Sequence, residues 1–238
     1  MRLDKAIAHA GHGSRREAAL WIRDGLAAVD GVVTRGPEAA VEPLKQRVTL
    51  RGGDIDYAPH YHIMMNKPAG YISSTDDPRE HTVMELLDDR RRRLGLFPVG
   101  RLDKDATGLL LLTTDGGLGH SLLSPARHVD KEYLVAVEGI LTLGMVDRFT
   151  QGITLADGEV CRPASLELMT PHTGRVILRE GKYHQIKRMM AALGAHVTAI
   201  HRVRMGSLHL DETLSSGQWR VLTDSERRSI YQYDPKAF

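Results

Sequence analysis

Residues 100–116 read GRLDKDATGLLLLTTDG, and the interpretation of the whole chain starts from this stretch. Charged residues fill a short loop between Arg101 and Asp105, and the apolar run Leu109–Leu112 then predicts a buried strand. Loops held between buried strands often display catalytic side chains. Asp103 and Asp105 lie two residues apart beside basic neighbours, a pattern that fits a general acid and base pair, a metal site or a plain charged turn.

Short strands outnumber helices in the sequence around this loop, which favours an α+β fold over a doubly wound sheet. The predicted strands are His62–Asn66, Leu96–Gly100, Leu109–Thr114, Glu132–Glu138 and Gln218–Leu222. Apolar residues at i, i+3, i+4 and i+7 from Ile186 predict an amphipathic helix that ends at Gly194.

The N-terminal fifty residues have the pattern of a separate small module with two helices and a hairpin. The segment Ser14–Glu17 is a capping box, which predicts the start of the second helix. Asp30-Gly31 stands between apolar residues and predicts a tight hairpin turn. We therefore expect a module at residues 1–52, a linker at 53–60 and a larger domain at 61–238.

The charge of the chain is informative in its distribution rather than in its total. The net charge is only +2, from 32 basic and 30 acidic residues. Between Arg175 and Arg204, however, seven basic residues stand against the single acid Glu180. Such a cluster is the electrostatic footprint expected where phosphates bind, and the alternative is a solvated surface face.

Several function classes are excluded or disfavoured by composition. Cys161 is the only cysteine, so neither an internal disulfide nor a thiolate zinc site is expected. No apolar run approaches the roughly 18–20 residues that cross a bilayer. The N-terminal residues lack the apolar core of a signal peptide. We expect a cytoplasmic protein without a membrane partner.

Four segments of the larger domain resemble the motifs of the pseudouridine synthases that modify ribosomal RNA as single polypeptides. Residues 100–116 resemble the catalytic motif, residues 66–71 (NKPAGY) the first motif, residues 131–135 (KEYLV) the strand with the active-site tyrosine, and residues 180–189 (EGKYHQIKRM) the third motif. The N-terminal RLDK, SRREA and VDG elements resemble the small RNA-binding module named after ribosomal protein S-four. The resemblance covers nearly the whole chain in the family's order.

The resemblance implies both a fold and an activity. The expected architecture is α+β, with a small ααβ RNA-binding module followed by a mixed, largely antiparallel sheet. The expected reaction is isomerisation of one uridine to pseudouridine after base flipping, with no cofactor and no metal. GKYHQIKRM lies nearer to the 16S rRNA enzymes than to the 23S rRNA ones, so the expected partner is ribosomal RNA in a small-subunit assembly particle, bound by a monomer. The alternatives are a 23S rRNA enzyme and a non-catalytic rRNA-binding assembly factor.

The same resemblance implies a role for five residues of the larger domain. Asp103 matches the essential carboxylate, as nucleophile or base, and Lys187 matches the basic residue that pairs with it. Tyr133 matches the tyrosine that stacks on the uracil, Ile186 the apolar residue that closes the pocket, and Arg101 the arginine beside the aspartate. Asp105 is expected to be a loop residue rather than a second catalyst.

Contacts with RNA are expected from basic residues in both parts of the chain. In the N-terminal module these are Arg2, Lys5, Arg15, Arg16 and Arg23. In the larger domain they are Lys67, Lys182, His184, Arg188, Arg202 and Arg204.

Overall fold

The structure is a computed structural model that describes residues 1–124 and 129–233. The chain forms two compact units: residues 1–61 with 87–97, and residues 62–86 with 98–238. The predicted division at residues 52 and 61 therefore needs two changes, because residues 53–61 and residues 87–97 both belong to the smaller unit. Residues 125–128 and 234–238 of the predicted larger domain lie outside the described part.

The smaller unit packs two helices, α1 (Leu3–His9) and α2 (Arg15–Arg23), with a four-stranded antiparallel sheet. Its strands are β1 (Ala27–Val29), β2 (Val32–Val33), β3 (Val48–Leu50) and β4 (Gly53–Asp54), in the order β2-β1-β3-β4. The predicted capping box of α2 is present. Asp30 and Gly31 have φ values of 50° and 83°, as a two-residue hairpin turn requires.

The predicted linker at 53–60 is wrong at its start. Gly53–Asp54 pairs with β3, and Ile55, only 2% exposed, packs in the core of the small unit. The sequence GGDIDYAPH has weak apolar periodicity because this strand is short and exposed, and a single buried residue anchors it.

Residues 87–97 contain the short helix α3 (Asp89–Arg92) and join the small unit through Arg90. The Arg90 guanidinium donates to the carbonyls of Ala10 at 2.9 Å and Ile55 at 2.7 Å. Both acceptors lie far from Arg90 in sequence, so no local pattern predicts this association.

The larger unit is built on a nine-stranded sheet. Its strands are β5 (His62–Lys67), β6 (Phe97–Pro98), β7 (Thr107–Thr113), β8 (Lys131–Glu138), β9 (Ser165–Thr170), β10 (Thr173–Leu178), β11 (His196–Met205), β12 (Leu208–His209) and β13 (Trp219–Val221). The order is β13-β5-β7-β11-β8-β10-β9, with β6 on β7 and β12 on β11. Along this order the β7–β11 pairing is parallel and the others are antiparallel. The expected mixed, largely antiparallel sheet is confirmed.

In the described residues of the larger unit, helices are fewer than strands, as the α+β prediction expects. Besides a 3-10 turn at Val83–Leu86, they are α4 (Gly116–Leu123), α5 (Leu143–Gln151), α6 (Gln185–Ala192) and α7 (Asp224–Gln232). The predicted apolar stripe of α6 is confirmed, since Ile186, Met189 and Met190 are buried. This helix packs against β11.

Gly108 allows the parallel strands β7 and β11 to approach each other closely. Its φ is +99°, and a Cβ at this position would lie 2.3 Å from the carbonyl oxygen of Arg202. Only glycine fits such a contact and such a backbone angle. The close approach sets the position of the loop that ends where β7 begins, and this loop carries Asp103.

Candidate active site and RNA interface

The loop between β6 and β7 presents Asp103 at the surface of the larger unit. The Asp103 side chain is 28% exposed, while its neighbours Leu102 and Ala106 are buried and anchor the loop on both sides. The amide of Ala106 donates to the carbonyl of Asp103 at 3.1 Å, which closes a turn. The carboxylate therefore projects from a short, fixed segment.

A buried lysine, Lys67 at the end of β5, supports this loop by hydrogen bonds to its main chain. Its ammonium donates to the carbonyls of Ala106 at 2.7 Å, Asp103 at 3.1 Å and Lys104 at 3.4 Å, and to its neighbour Pro68 at 3.0 Å. Burial lowers the pKa of Lys67 to about 8, and the nearby carboxylates of the loop oppose that shift.

The predicted RNA contact of Lys67 is therefore wrong, because its side chain is fully buried and binds the main chain. Lysine is rarely buried without such compensation, and here backbone carbonyls supply it.

Ser73 is a second support of the loop, and sequence reasoning missed it. Its hydroxyl accepts from the amide of Leu102 at 3.0 Å and donates to the carbonyl of the same residue at 3.1 Å. The side chain is buried. A serine in a loop carries no sequence signal for such a role, although its position soon after the NKPAGY segment places it near Lys67 in the chain.

Two basic side chains from the start of α6 surround the Asp103 carboxylate. His184 Nε2 lies 3.6 Å from Asp103 Oδ1, and Lys187 Nζ lies 3.8 Å from Asp103 Oδ2. The predicted neighbourhood of Asp103 and Lys187 is thus present, although they are distant in sequence. An adjacent cation favours the ionised form of a carboxylate, which a nucleophile or base needs.

Lys187 nevertheless forms its shortest contacts with Asp105. Its ammonium donates to both carboxylate oxygens of Asp105, at 2.6 and 2.7 Å. These hydrogen bonds lower the pKa of the Asp105 carboxyl. Asp105 is 69% exposed, so it is a surface residue of the loop that shares Lys187 with Asp103.

Tyr133 and Arg202 stand opposite each other on neighbouring strands. They are register partners in the β8–β11 pair, and Arg202 is also aligned with Gly108 of β7. Side chains at such paired positions share one face of a sheet. Tyr133 is 8% exposed, and its hydroxyl forms no hydrogen bond with any residue in the described ranges.

The predicted RNA contact of Arg202 is wrong, because the side chain is only 1% exposed. Its Nε donates to the carbonyl of Leu109 at 2.7 Å, which ties β11 to β7 next to the Asp103 loop. Its Nη2 has no hydrogen-bond partner within residues 1–124 and 129–233.

The two remaining residues that the resemblance places in the active site differ in exposure. Ile186, in the first turn of α6, is 5% exposed and forms part of the buried face of that helix. Arg101 is exposed, and no described residue forms a hydrogen bond or ion pair with it. Arg101 is therefore available to a ligand, and Ile186 is held on the buried face of α6.

Other basic residues of the predicted phosphate cluster are already paired with carboxylates. Arg188 contacts Asp157 at 2.5 Å and Glu159 at 2.9 Å, and Lys182 contacts Glu159 at 3.0 Å. Arg204 contacts Glu132 at 2.8 Å. Because neighbouring residues of a strand point to opposite faces, Glu132 and its partner lie on the face of β8 away from Tyr133.

The basic residues of the small unit form a different arrangement. Arg2 and Arg15 both bind the buried Asp4, at 3.0 and 3.2 Å, and their hydrogen bonds, with that of Arg2 the stronger, lower the pKa of its carboxyl. Arg16 and Arg23 are exposed on α2 and have no ion pair with a described residue.

These α2 residues line a cleft of about 420 Å³ at the surface of the small unit. The lining residues are Asp4, Arg15, Arg16, Ala19, Leu20 and Arg23. Lys5 is likewise exposed and unpaired among the described residues.

Within the described residues, no group of three or more His, Cys, Asp or Glu side chains is placed to hold a metal ion. None of the helices in the described residues has the length and apolar character needed to cross a membrane.

Comparison with known proteins places both units in described families. A family model for RNA pseudouridylate synthase matches residues 60–192, and a model for the S4 domain matches residues 1–43. The chain belongs to the RNA pseudouridylate synthase family. It is therefore an RNA-modifying isomerase with an N-terminal S4 domain, and the family expected from the motifs is confirmed.

Relatives of this synthase match it along almost its full length. It is 40% identical over 233 residues to the ribosomal small subunit pseudouridine synthase A of Escherichia coli (strain K12), which covers 97% of this chain and 100% of that protein. It is also 40% identical over 230 residues to an uncharacterized RNA pseudouridine synthase of Bacillus subtilis (strain 168), covering 95% of this chain and 96% of that protein.

A solved structure supports the fold of the synthase as well. A crystal structure of a pseudouridylate synthase, 33% identical, superposes with a TM-score of 0.69 and covers 97% of this chain and 99% of that one.

Proposed function

We propose that this synthase isomerises one uridine of 16S rRNA and that Asp103 is its essential carboxylate. The observation that carries the proposal is the placement of Asp103: a partly exposed carboxylate on a loop held by Lys67, with Lys187 and His184 within 4 Å. The full-length similarity to a small-subunit rRNA synthase of Escherichia coli supports the choice of rRNA.

The reaction requires the target base to leave its stack before the carboxylate can reach it. The uridine enters beside Asp103, and exposed Arg101 occupies the space of the extruded base or binds its phosphate. Tyr133 stacks on the uracil, and Ile186 closes the pocket. The bond between N1 and the ribose breaks, the uracil turns, and C5 bonds to the ribose, after which the C5 proton moves to N1. No group enters or leaves, so the atoms balance without a co-substrate.

We also propose the form in which the substrate is bound. The target uridine lies in the 16S rRNA of a small-subunit particle during assembly. Free Lys5, Arg16 and Arg23 of the S4 domain bind RNA phosphates and hold the RNA while Asp103 acts. Naked 16S rRNA and partly assembled particles, compared as substrates at equal concentration, test this choice.

The decisive experiment is Asp103→Asn, which keeps the size of the side chain and removes the ionisable carboxylate. We expect no pseudouridine in 16S rRNA from this variant, with rRNA binding unchanged to within a few-fold. Asp105→Asn is the matched control in the same loop, and it should retain product formation. Normal turnover of Asp103→Asn would exclude the proposed chemistry.

The choice of rRNA is tested by mapping pseudouridine chemically across the 16S and 23S rRNA of partly assembled ribosomal particles incubated with the wild-type protein. One modified uridine in 16S rRNA is expected. Modification of 23S rRNA alone would instead show a large-subunit enzyme, and binding without modification of either RNA would show an assembly factor.

A further inference from the structure

An exposed aromatic pair stands next to the Asp103 carboxylate. The rings of Tyr183 and His184 are stacked, with centroids 3.8 Å apart and an angle of 17° between their planes. Tyr183 is 74% exposed, whereas His184 uses its Nε2 atom to approach Asp103 at 3.6 Å. One aromatic ring thus separates Tyr183 from the reacting carboxylate.

The segment that carries this pair is held in place by buried and charged neighbours. Gln185 is buried, and its side chain binds the amide of Lys182 at 3.0 Å and the carboxylate of Glu180 at 2.5 Å. Arg188 donates to the carbonyl of Tyr183 at 3.3 Å. His184 adopts a left-handed backbone conformation with a φ of 47°. Tyr183 is therefore exposed on a structured segment.

The chemistry of the pair fits a nucleobase. One face of the Tyr183 ring covers His184, and the high exposure of the residue leaves the rest of its ring open to solvent. Proteins that bind unpaired RNA commonly stack bases on such aromatic faces, and every base can stack in this way. A single exposed aromatic residue would carry no such meaning, but Tyr183 is stacked on His184, and His184 contacts Asp103.

We propose that Tyr183 and His184 form a stacking platform for the base of a nucleotide next to the target uridine. The inference rests on the proposed function of Asp103 and adds the position of a second base. The reacting uracil itself must come to about 3–3.5 Å from the carboxylate, a position that Tyr183 does not border directly. When the target base flips out, the neighbouring bases lose a stacking partner. The platform replaces that partner, and its protein segment is already structured.

The test compares substitutions of Tyr183 in the full-length protein with 16S rRNA. Tyr183→Phe keeps the aromatic face, and Tyr183→Leu keeps an apolar side chain without that face. Leu143→Ala in α5 is the matched control, because Leu143 is 75% exposed and lies outside the site. Dissociation constants are measured in the Asp103→Asn background, so that binding is read without turnover.

Binding of Tyr183→Leu should be about ten-fold weaker or worse, since stacking on an aromatic side chain contributes affinity of that order. Tyr183→Phe and Leu143→Ala should stay within about two-fold of the parent. With Asp103 intact, Tyr183→Leu should raise KM by a similar factor and change kcat little, whereas a purely structural role would lower kcat and the midpoint of unfolding together. Ultraviolet crosslinking to the 16S transcript should join an RNA base to Tyr183.

Unchanged affinity and KM in Tyr183→Leu would overturn the platform. Equal losses in Tyr183→Phe and Tyr183→Leu would also overturn it, because the hydroxyl and not the ring face would then carry the effect. Failure of the proposed function is a separate result: the wild-type protein would make no pseudouridine while the crosslink and the affinity difference persisted.

Discussion

The basic residues of the two units differ in what they already bind. In the larger unit, the predicted phosphate ligands Lys67 and Arg202 are buried, and three others are paired with carboxylates. In the small unit, Lys5, Arg16 and Arg23 are exposed and have no ion pair with a described residue. Lysine and arginine are therefore mostly buried or paired at the predicted RNA positions of the larger unit, whereas three of those in the small unit are exposed and unpaired.

From this difference we infer how the enzyme separates RNA affinity from chemistry. A cation that is already paired must exchange a carboxylate for a phosphate, so it gains little when RNA binds. A free surface cation gains the full contact and releases counterions from the RNA. We therefore expect the small unit to supply much of the salt-dependent affinity, and the cations of the larger unit to hold the geometry around Asp103.

The largest expected effect comes from Lys67→Met, which removes the buried ammonium beneath the Asp103 loop. We expect the free energy of unfolding to fall by on the order of 3 kcal/mol, because several buried carbonyls lose their donor. Turnover should fall by roughly a hundred-fold, since a displaced loop misplaces Asp103. Urea unfolding and single-turnover assays measure both effects.

The matched control for Lys67 is Lys104→Met in the same loop. Lys104 is exposed and paired with Glu80 at 2.5 Å, so its loss should change the free energy of unfolding by no more than about 0.5 kcal/mol. Equal stability of the two variants would remove the distinction between buried and surface cations.

The next effect concerns Lys187, which contacts both carboxylates of the loop. Lys187→Met should reduce turnover, because Asp103 and Asp105 lose the cation that both of them contact. Asp105→Asn should leave turnover near its wild-type value, since Lys187 then contacts Asp103 alone. Unchanged single-turnover rates in Lys187→Met would show that Lys187 does not support the chemistry at Asp103.

Much of the fold could be predicted because its signals are local. The capping box at Ser14, the Asp30-Gly31 turn and the apolar stripe of α6 are all present. Each depends on residues a few positions apart, so the sequence alone shows the pattern.

Strand β11 had no such signal, although it is central to the sheet. Its register shifts between Val197 and Ala199 and again between Arg202 and Arg204, so its buried positions do not alternate regularly. Arg202 also has the character of a surface residue in the sequence, and only its hydrogen bond to Leu109 explains its burial. The association of residues 87–97 with the small unit escaped prediction for a similar reason, because Arg90 binds carbonyls that are distant in sequence.

The candidate site could be predicted in part. The proximity of Lys187 to Asp103 followed from the family resemblance, but the shorter contact with Asp105 did not. The supporting roles of Lys67 and Ser73 depend on main-chain acceptors, which any sequence supplies equally. Such roles can be recognised only when the positions of the loop's backbone atoms are known.

The contribution of Lys67 to stability depends on pH, because burial lowers its pKa to about 8 from 10.5. Between these values the unfolded chain binds more protons at Lys67 than the folded chain does, so this group makes the free energy of unfolding rise with pH. The stability difference between wild type and Lys67→Met should therefore widen from pH 8 to pH 10, by up to about 1 kcal/mol per pH unit.

Turnover should move in the other direction over the same range. As Lys67 loses its proton, the carbonyls of Asp103 and Ala106 lose a charged donor, and the loop becomes less well held. Denaturant unfolding and single-turnover rates at pH 7.5, 9 and 10 measure the two trends. A constant stability difference between wild type and Lys67→Met would show that Lys67 does not titrate there.

The smallest expected effect tests the free cations of the small unit. Arg16→Ala/Arg23→Ala removes two unpaired arginines from the cleft on α2, so it should weaken rRNA binding and lower the slope of log K against log salt by about two units or slightly less. Turnover at saturating RNA should stay the same, because Asp103 and its neighbours are untouched.

Arg15→Ala should change the slope less than Arg16→Ala does, since Arg15 already binds Asp4. Arg204→Ala is the matched variant of the larger unit, and its pairing with Glu132 predicts a slope close to that of the wild type. Equal slope changes in Arg16→Ala and Arg204→Ala would show that prior pairing does not decide which cations bind the RNA.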